Sequence, residues 1–152
     1  MSQMNRIKGG LVNQKKSISF TFNGQILTGF EGDTLASALL ANNKKLVGRS
    51  FKYHRPRGIV TAGSEEPNAI MEIGNGAYKE PNTKATITQL YNGLEANSQN
   101  HRGPLGFDLM AITDFLSPLL GAGFYYKTFM WPKAFWEKFY EPAIRNAAGL
   151  GT

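Results

Sequence analysis

Residues 17–34 constrain the fold of this chain more than any other stretch. Ser17 to Phe22 alternates, with Ile18, Phe20 and Phe22 on one face and Ser17, Ser19 and Thr21 on the other. That period-two pattern predicts a half-buried strand. Asn23-Gly24 follows, and both residue types tolerate the positive φ that a two-residue type I′ turn demands. Gln25 to Phe30 resumes with strand-like residues, and Glu31-Gly32-Asp33-Thr34 ends them. Asp33 or Thr34 can accept from the orphan N–H groups of a helix's first turn. Leu35, Ala36, Ala38, Leu39, Leu40 and Ala41 then predict a short helix with an apolar Leu35/Leu39 stripe, stopped at Asn42-Asn43. A hairpin followed by a helix that packs across it opens a β-grasp arrangement, so the fold class expected is α+β.

The rest of the chain divides by composition. Residues 1–16 are polar and read as a flexible lead-in. Ala69 to Ile73 predicts a strand ended by Gly74-Asn75-Gly76, residues 79–83 (KEPNT) predict a turn, and Ala85 to Tyr91 predicts a last strand. Asn97 to Gly106 reads as a polar linker. Phe107 to Leu120 places Leu109, Ile112, Leu116 and Leu119/Leu120 near a 3.6 period and predicts a helix. Phe124 to Tyr140 carries nine of the 18 aromatic residues. There Pro132 suits a helix's first turn, and Phe135, Trp136, Phe139 and Tyr140 would form a broad aromatic face. Pro142 interrupts or restarts this helix. So many rings in water would form an exposed patch. The extension is therefore expected to cover the β-domain or a partner, with Trp131, Phe135, Trp136, Phe139 and Tyr140 as its docking candidates.

Charge is concentrated in one segment. From Thr34 to Ser64 there is no acid, and Lys44, Lys45, Arg49, Lys52, Arg55 and Arg57 match the whole net charge of +6. Arg55-Pro56-Arg57-Gly58 is turn chemistry. Three readings are open for this segment. It can be a solvated loop whose long stems lie on apolar neighbours, or a docking surface for another domain or subunit through Arg49, Lys52, His54, Arg55 and Arg57. The third reading is a nucleic-acid or other polyanion site. No helix-turn-helix or RNP-type pattern accompanies it.

Chemistry of its own is not written in the chain. There is no cysteine, which excludes disulfides, cysteine-held zinc, a cysteine-ligated iron–sulfur cluster and thiol catalysis. His54 and His101, the two histidines, have no acid at metal-ligand spacing and read as structural or surface residues. Glu65-Glu66 are adjacent loop residues beside Pro67, poor geometry for paired-carboxylate catalysis. Gly121 and Gly123 lack the third glycine of a GxGxxG, and no P-loop occurs. MSQMNRIKGG precedes no apolar run, so it does not read as a secretory signal. Leu109 to Tyr126 is broken by Asp114, Pro118, Gly121 and Gly123, so no membrane span is predicted, and a cytoplasmic protein is expected.

Four segments together resemble a known family. They are the Phe20-to-Phe30 hairpin, Gly32-Asp33-Thr34-Leu35-Ala36-Ser37-Ala38-Leu39-Leu40-Ala41-Asn42, Gly48-Arg49-Ser50-Phe51-Lys52-Tyr53-His54-Arg55-Pro56-Arg57-Gly58, and Ala62-Gly63-Ser64-Glu65-Glu66-Pro67-Asn68-Ala69. In order and spacing they resemble the N-terminal region of the alpha subunit of heterotetrameric sarcosine oxidases, firmly over residues 17–73 and loosely in the aromatic tail. The resemblance implies a β-grasp, ferredoxin-like domain without its iron–sulfur cluster over residues 17–96. Residues 97–152 would then be a linker and aromatic helical extension leading toward a nucleotide-binding domain. Related amine and opine oxidoreductase subunits keep cysteines shortly after the Arg-Pro-Arg-Gly turn, where this chain has Ile59 to Asn68. The implied role is structural and docking, with no cofactor held in this chain. The implied assembly oxidises sarcosine with FAD, FMN, NAD and tetrahydrofolate. Its other parts are the remainder of the alpha subunit and the beta, gamma and delta subunits.

Overall fold

The computed structural model describes residues 3–7, 9–115 and 135–147. Trp131, Pro132 and the residues 116–120 of the expected helix lie outside them. Strands β1 (Asn13–Phe22) and β2 (Gln25–Glu31) form the hairpin, pairing Phe20 with Leu27 and Phe22 with Gln25. Asn23 and Gly24 take φ of 50° and 75°, both in the left-handed region that a type I′ turn requires. Phe20, Phe22 and Leu27 are buried, so the alternation in the sequence reports the core face directly.

Helix α1 (Leu35–Ala41) starts at Thr34, whose hydroxyl accepts from Ser37 N while the Ser37 hydroxyl accepts from Thr34 N. This reciprocal cap satisfies two backbone donors at once. Leu35, Ala36, Ala38, Leu39 and Ala41 are buried. Gly29 of β2 leaves room for the helix and for Leu90, because a Cβ there would stand 3.1 Å from Ala38 Cβ and 2.3 Å from Leu90 Cδ2.

β3 (Leu46–Arg49) and β4 (Pro56–Gly58) make a separate two-stranded ribbon out of the basic segment. β5 (Ile70–Ile73), β6 (Glu80–Lys84) and β7 (Glu95–Ser98) complete the main sheet, in the order β2-β1-β7-β5-β6. β7 runs parallel to β1, pairing Thr21 with Glu95 and Phe22 with Ala96, and antiparallel to β5. A hairpin, a helix across it and a late strand inserted parallel to the first is the β-grasp order, as the sequence predicts. The core joins Phe20, Phe22, Leu27, Leu35, Leu39, Val47, Met71, Leu90 and Leu94.

Three local expectations give way. The turn expected at 79–83 is the edge strand β6, where Pro81 is tolerated because an edge strand leaves one side of its backbone unpaired. The strand expected at Ala85–Tyr91 is absent. Carbonyls of this segment serve α1 instead: Leu35 N donates to Thr88 O at 2.9 Å and Ala36 N to Ala85 O at 3.0 Å. Within the linker expected from Asn97 lies the end of β7, the strand at the centre of the sheet. After it come a 3₁₀ turn (Leu109–Ala111) and a short helix α2 (Ile112–Phe115). Trp136–Tyr140 form a π-helical turn, and α3 (Glu141–Ala147) follows with Pro142 in its first turn. Pro142 therefore restarts a helix, a position where its missing N–H costs nothing.

Candidate functional site

The basic ribbon is stapled to the segment after β7. Arg49 is 8% exposed, and its guanidinium faces inward. Its Nε and Nη2 donate to Leu105 O at 3.0 and 2.9 Å, and Nη1 donates to His54 O at 2.9 Å. Asp108 closes the network. Its Oδ2 lies 2.7 Å from His54 Nδ1 and 4.0 Å from Arg49 Nε, while Oδ1 accepts from Arg102 N and Met110 N. An ionised carboxylate only accepts, so His54 carries its proton on Nδ1 and donates it to Asp108. Burial pushes the Asp108 carboxyl up, but the two backbone donors and His54 outweigh it and hold the group below the usual range. His54 has φ 55°, a backbone strain that the Ser50–Arg55 turn holds through His54 N to Ser50 O at 2.9 Å.

The other basic residues face outward. Arg55 Nε donates to Asp114 Oδ1 at 2.6 Å, and its guanidinium stands 4.7 Å from the Tyr53 ring centroid. Lys52 Nζ lies 4.8 Å from that same centroid. Arg57 donates to Asn68 Oδ1. The candidate docking residues thus divide into an internal pair, Arg49 and His54, and a surface group, Lys52, Arg55 and Arg57. Of the aromatic candidates, Phe135, Trp136 and Phe139 are exposed and Tyr140 is half-buried. Phe135 and Phe139 meet edge to face at 5.5 Å. Trp131 lies outside the described residues.

A second polar centre sits immediately after the ribbon, in the loop from Ile59 to Asn68. Glu66 is 0% exposed. One carboxylate oxygen accepts from Val60 N at 2.8 Å, Thr61 N at 2.5 Å and the Thr61 hydroxyl at 3.3 Å. The other accepts from Asn68 N at 2.7 Å and Ala69 N at 3.2 Å. Burial pushes the carboxyl up, but the amides of Thr61, Asn68, Val60 and Ala69 bring it down to about 2. Thr86, also buried, donates its hydroxyl to Gly63 O at 2.6 Å and ties the loop to the segment that follows β6. The lead is anchored too: Arg6 binds Asp33 through two bonds of 3.0 and 2.6 Å and lies 5.0 Å from the Phe30 ring centroid.

A small mixed sheet grasping one helix is the arrangement of a ferredoxin-like β-grasp domain. Residues 15–101, more than half of the chain, match the family described as 2Fe-2S iron-sulfur cluster binding domain, and the chain belongs to that family. Its relatives include the sarcosine oxidase subunit alpha of Rhizobium meliloti (strain 1021), 63% identical over 99% of this chain and 15% of the relative. The subunit alpha of Corynebacterium sp. (strain U-96) is 39% identical over 64% of this chain and 10% of the relative. Among solved structures, L-proline dehydrogenase from P. horikoshii covers 57% of this chain and 16% of its own, at 24% identity and a TM-score of 0.45. The chain spans about 15% of the length of the first of these relatives.

The residues present do not fit the cluster in the family's description. Such clusters are held by four cysteine thiolates, or by two with two histidines. This chain has no cysteine, so it holds no cysteine-ligated cluster. Among the described residues no group of three or more His, Cys, Asp or Glu stands together at metal-binding distance. Also among them, no helix is long and apolar enough to cross a membrane.

Sequence reasoning set Glu66 aside as a loop residue and gave His54 no acidic partner. Asp108, 54 residues away in sequence, supplies that partner. Spacing within one segment cannot reveal such a pair. For Glu66 a signal existed: an acid beside Pro67 within a loop that resembles a metal loop without its metal ligands.

Proposed function

We propose that this chain is the structural and docking N-terminal portion of a sarcosine oxidase alpha subunit. The observation that carries the reading is 63% identity across 99% of the chain to such a subunit, combined with a family domain that has no cysteines. Without a one-electron centre the domain serves as a rigid block. It offers Lys52, Arg55 and Arg57 on one ribbon and exposed Phe107, Leu109, Ile112 and Phe115 on the segment beside it. Arginine and aromatic residues are the types enriched where proteins dock.

The assembled cytoplasmic enzyme would convert sarcosine to glycine, release peroxide, and pass the one-carbon unit to tetrahydrofolate or release it as formaldehyde. FAD, FMN and NAD would be held by the rest of the alpha subunit and by the beta, gamma and delta subunits. Residues 1–16 would act as a lead, 17–96 as the domain, and 97–152 as the connection onward to a nucleotide-binding domain.

The test pairs two assays. The purified chain should neither consume sarcosine nor bind flavin or NAD stoichiometrically. It should co-purify with the remaining alpha sequence and the other subunits when all are co-expressed. Sarcosine turnover by the chain alone, or failure to co-purify, would overturn the reading. The polyanion reading loses support because Arg49 is turned inward and Arg55 is paired with Asp114.

A further inference from the structure

The Glu66 centre is used by nothing described so far. A buried carboxylate ordinarily faces a cation, yet among the described residues Glu66 has no ion-pair partner. Its charge is answered by the backbone N–H groups of Val60, Thr61, Asn68 and Ala69 and by the Thr61 hydroxyl. Successive N–H groups converging on one point form a nest, a concavity built for an anion. Plant-type clusters are held at the spacing C-x₄-C-x₂-C with a fourth cysteine further on, and their sulfurs accept hydrogen bonds from the protein. Immediately after the Arg55-Pro56-Arg57-Gly58 turn, Thr61, Glu66 and Ala69 stand at that x₄ and x₂ spacing. The fourth position has a counterpart in Thr86, which is buried and bonded to Gly63 O within the same loop.

We propose that the Glu66 side chain is a resident anion standing where cluster-bearing members of this family carry their iron and sulfide, with Thr61, Glu66, Ala69 and Thr86 at the four ligand positions. The nest outlived the metal, and the chain fills it with its own carboxylate. Remove that carboxylate and the nest becomes an open site for a small carboxylate anion such as acetate. This inference holds whichever enzyme the chain serves.

Two experiments on the full chain test it. In the first, Glu66→Ala is melted in sodium acetate and in sodium chloride at equal ionic strength. Acetate should raise the Tm of the variant saturably, as ligand binding to the folded state requires, and leave the unsubstituted chain unmoved. Equal melting of the variant in both salts overturns the nest. Where Glu66→Ala fails to fold, hydrogen exchange on the unsubstituted chain decides. The amides of Val60, Thr61, Asn68 and Ala69 should exchange on the order of 100-fold more slowly than exposed loop amides. Exchange at loop rates overturns the proposal.

The second experiment tests the placement. Thr61, Glu66, Ala69 and Thr86 are replaced together by cysteine, and the chain is reconstituted anaerobically with ferric iron and sulfide. It should take up the two irons and two sulfides of the family's cluster. A control keeps Glu66 and replaces the other three, and should take up none. Equal uptake by the two variants, or none by either, overturns the assignment of the four positions.

Discussion

Burying a carboxylate costs several kcal/mol unless its charge is answered, and Asp33, Glu66 and Asp108 are answered in three ways. Asp33 meets the Arg6 guanidinium, Asp108 meets His54 and two amides, and Glu66 meets amides and a hydroxyl. Each is held below the ordinary carboxylate range despite burial. A depressed folded-state value means stability that is present above the unfolded value and lost as pH falls. For Glu66 the fall from 4.5 to about 2 corresponds to about 3 kcal/mol. Urea midpoints should therefore hold steady from neutral pH to about pH 5 and drop between 4.5 and 2, and Glu66→Gln should flatten that drop. Asp108→Ala should cost about 3 kcal/mol by urea titration, because it strands the buried Arg49. Asp114→Ala breaks a half-exposed pair with Arg55 and should cost under about 1 kcal/mol. Little of this ranking is legible in the sequence, where Asp33 and Glu66 are loop acids and Asp108 and Asp114 stand among apolar residues. Each depends on which donors, guanidinium, imidazole or amide, the fold brings to the oxygens.

The elements that were legible are those whose determinants are local. The β1–β2 hairpin follows from alternation plus Asn23-Gly24, and α1 follows from Thr34 plus its apolar run. Thr34→Ala should remove the reciprocal cap and cost about 1 kcal/mol, read from thermal unfolding. Illegible elements were decided by partners far away. Ala85–Tyr91 has a strand's composition, but its carbonyls are claimed by the first turn of α1. β7 reads as polar because Ala96 is its one fully buried side chain, so its central place comes from pairing β1 and β5 rather than from its own pattern. Gly74 gives a sharper instance. It has φ 84°, and a Cβ there would come within 2.4 Å of Tyr78 O. Gly74→Ala should therefore distort the β5–β6 connection and cost more than Thr34→Ala does.

At the scale of the whole molecule, the positive charge that dominates the sequence is partly spent internally, with Arg49 buried and Arg55 paired to Asp114. Phe107, Leu109, Ile112 and Phe115, four large apolar residues within nine positions, are all exposed, and contiguous apolar surface of this kind marks docking or aggregation. Replacing Phe107, Leu109 and Phe115 with Ser, Gln and Ser should reduce self-association in sedimentation experiments while leaving the Tm within a few degrees. Loss of folding in that variant would mean that these side chains belong to the core.

The parallel pairing of β1 with β7 also dictates when the domain can form during synthesis. The first strand cannot find its second neighbour until Glu95–Ser98 has been made. A ribosome adding about 5–20 residues per second therefore leaves Phe20 and Phe22 waiting behind an incomplete sheet for several seconds. A nascent chain arrested before Glu95 has cleared the exit tunnel should be cut readily by protease, and one arrested well after Ser98 has emerged should resist. For this domain, vulnerability on the ribosome is set by a four-residue central strand with one buried apolar side chain.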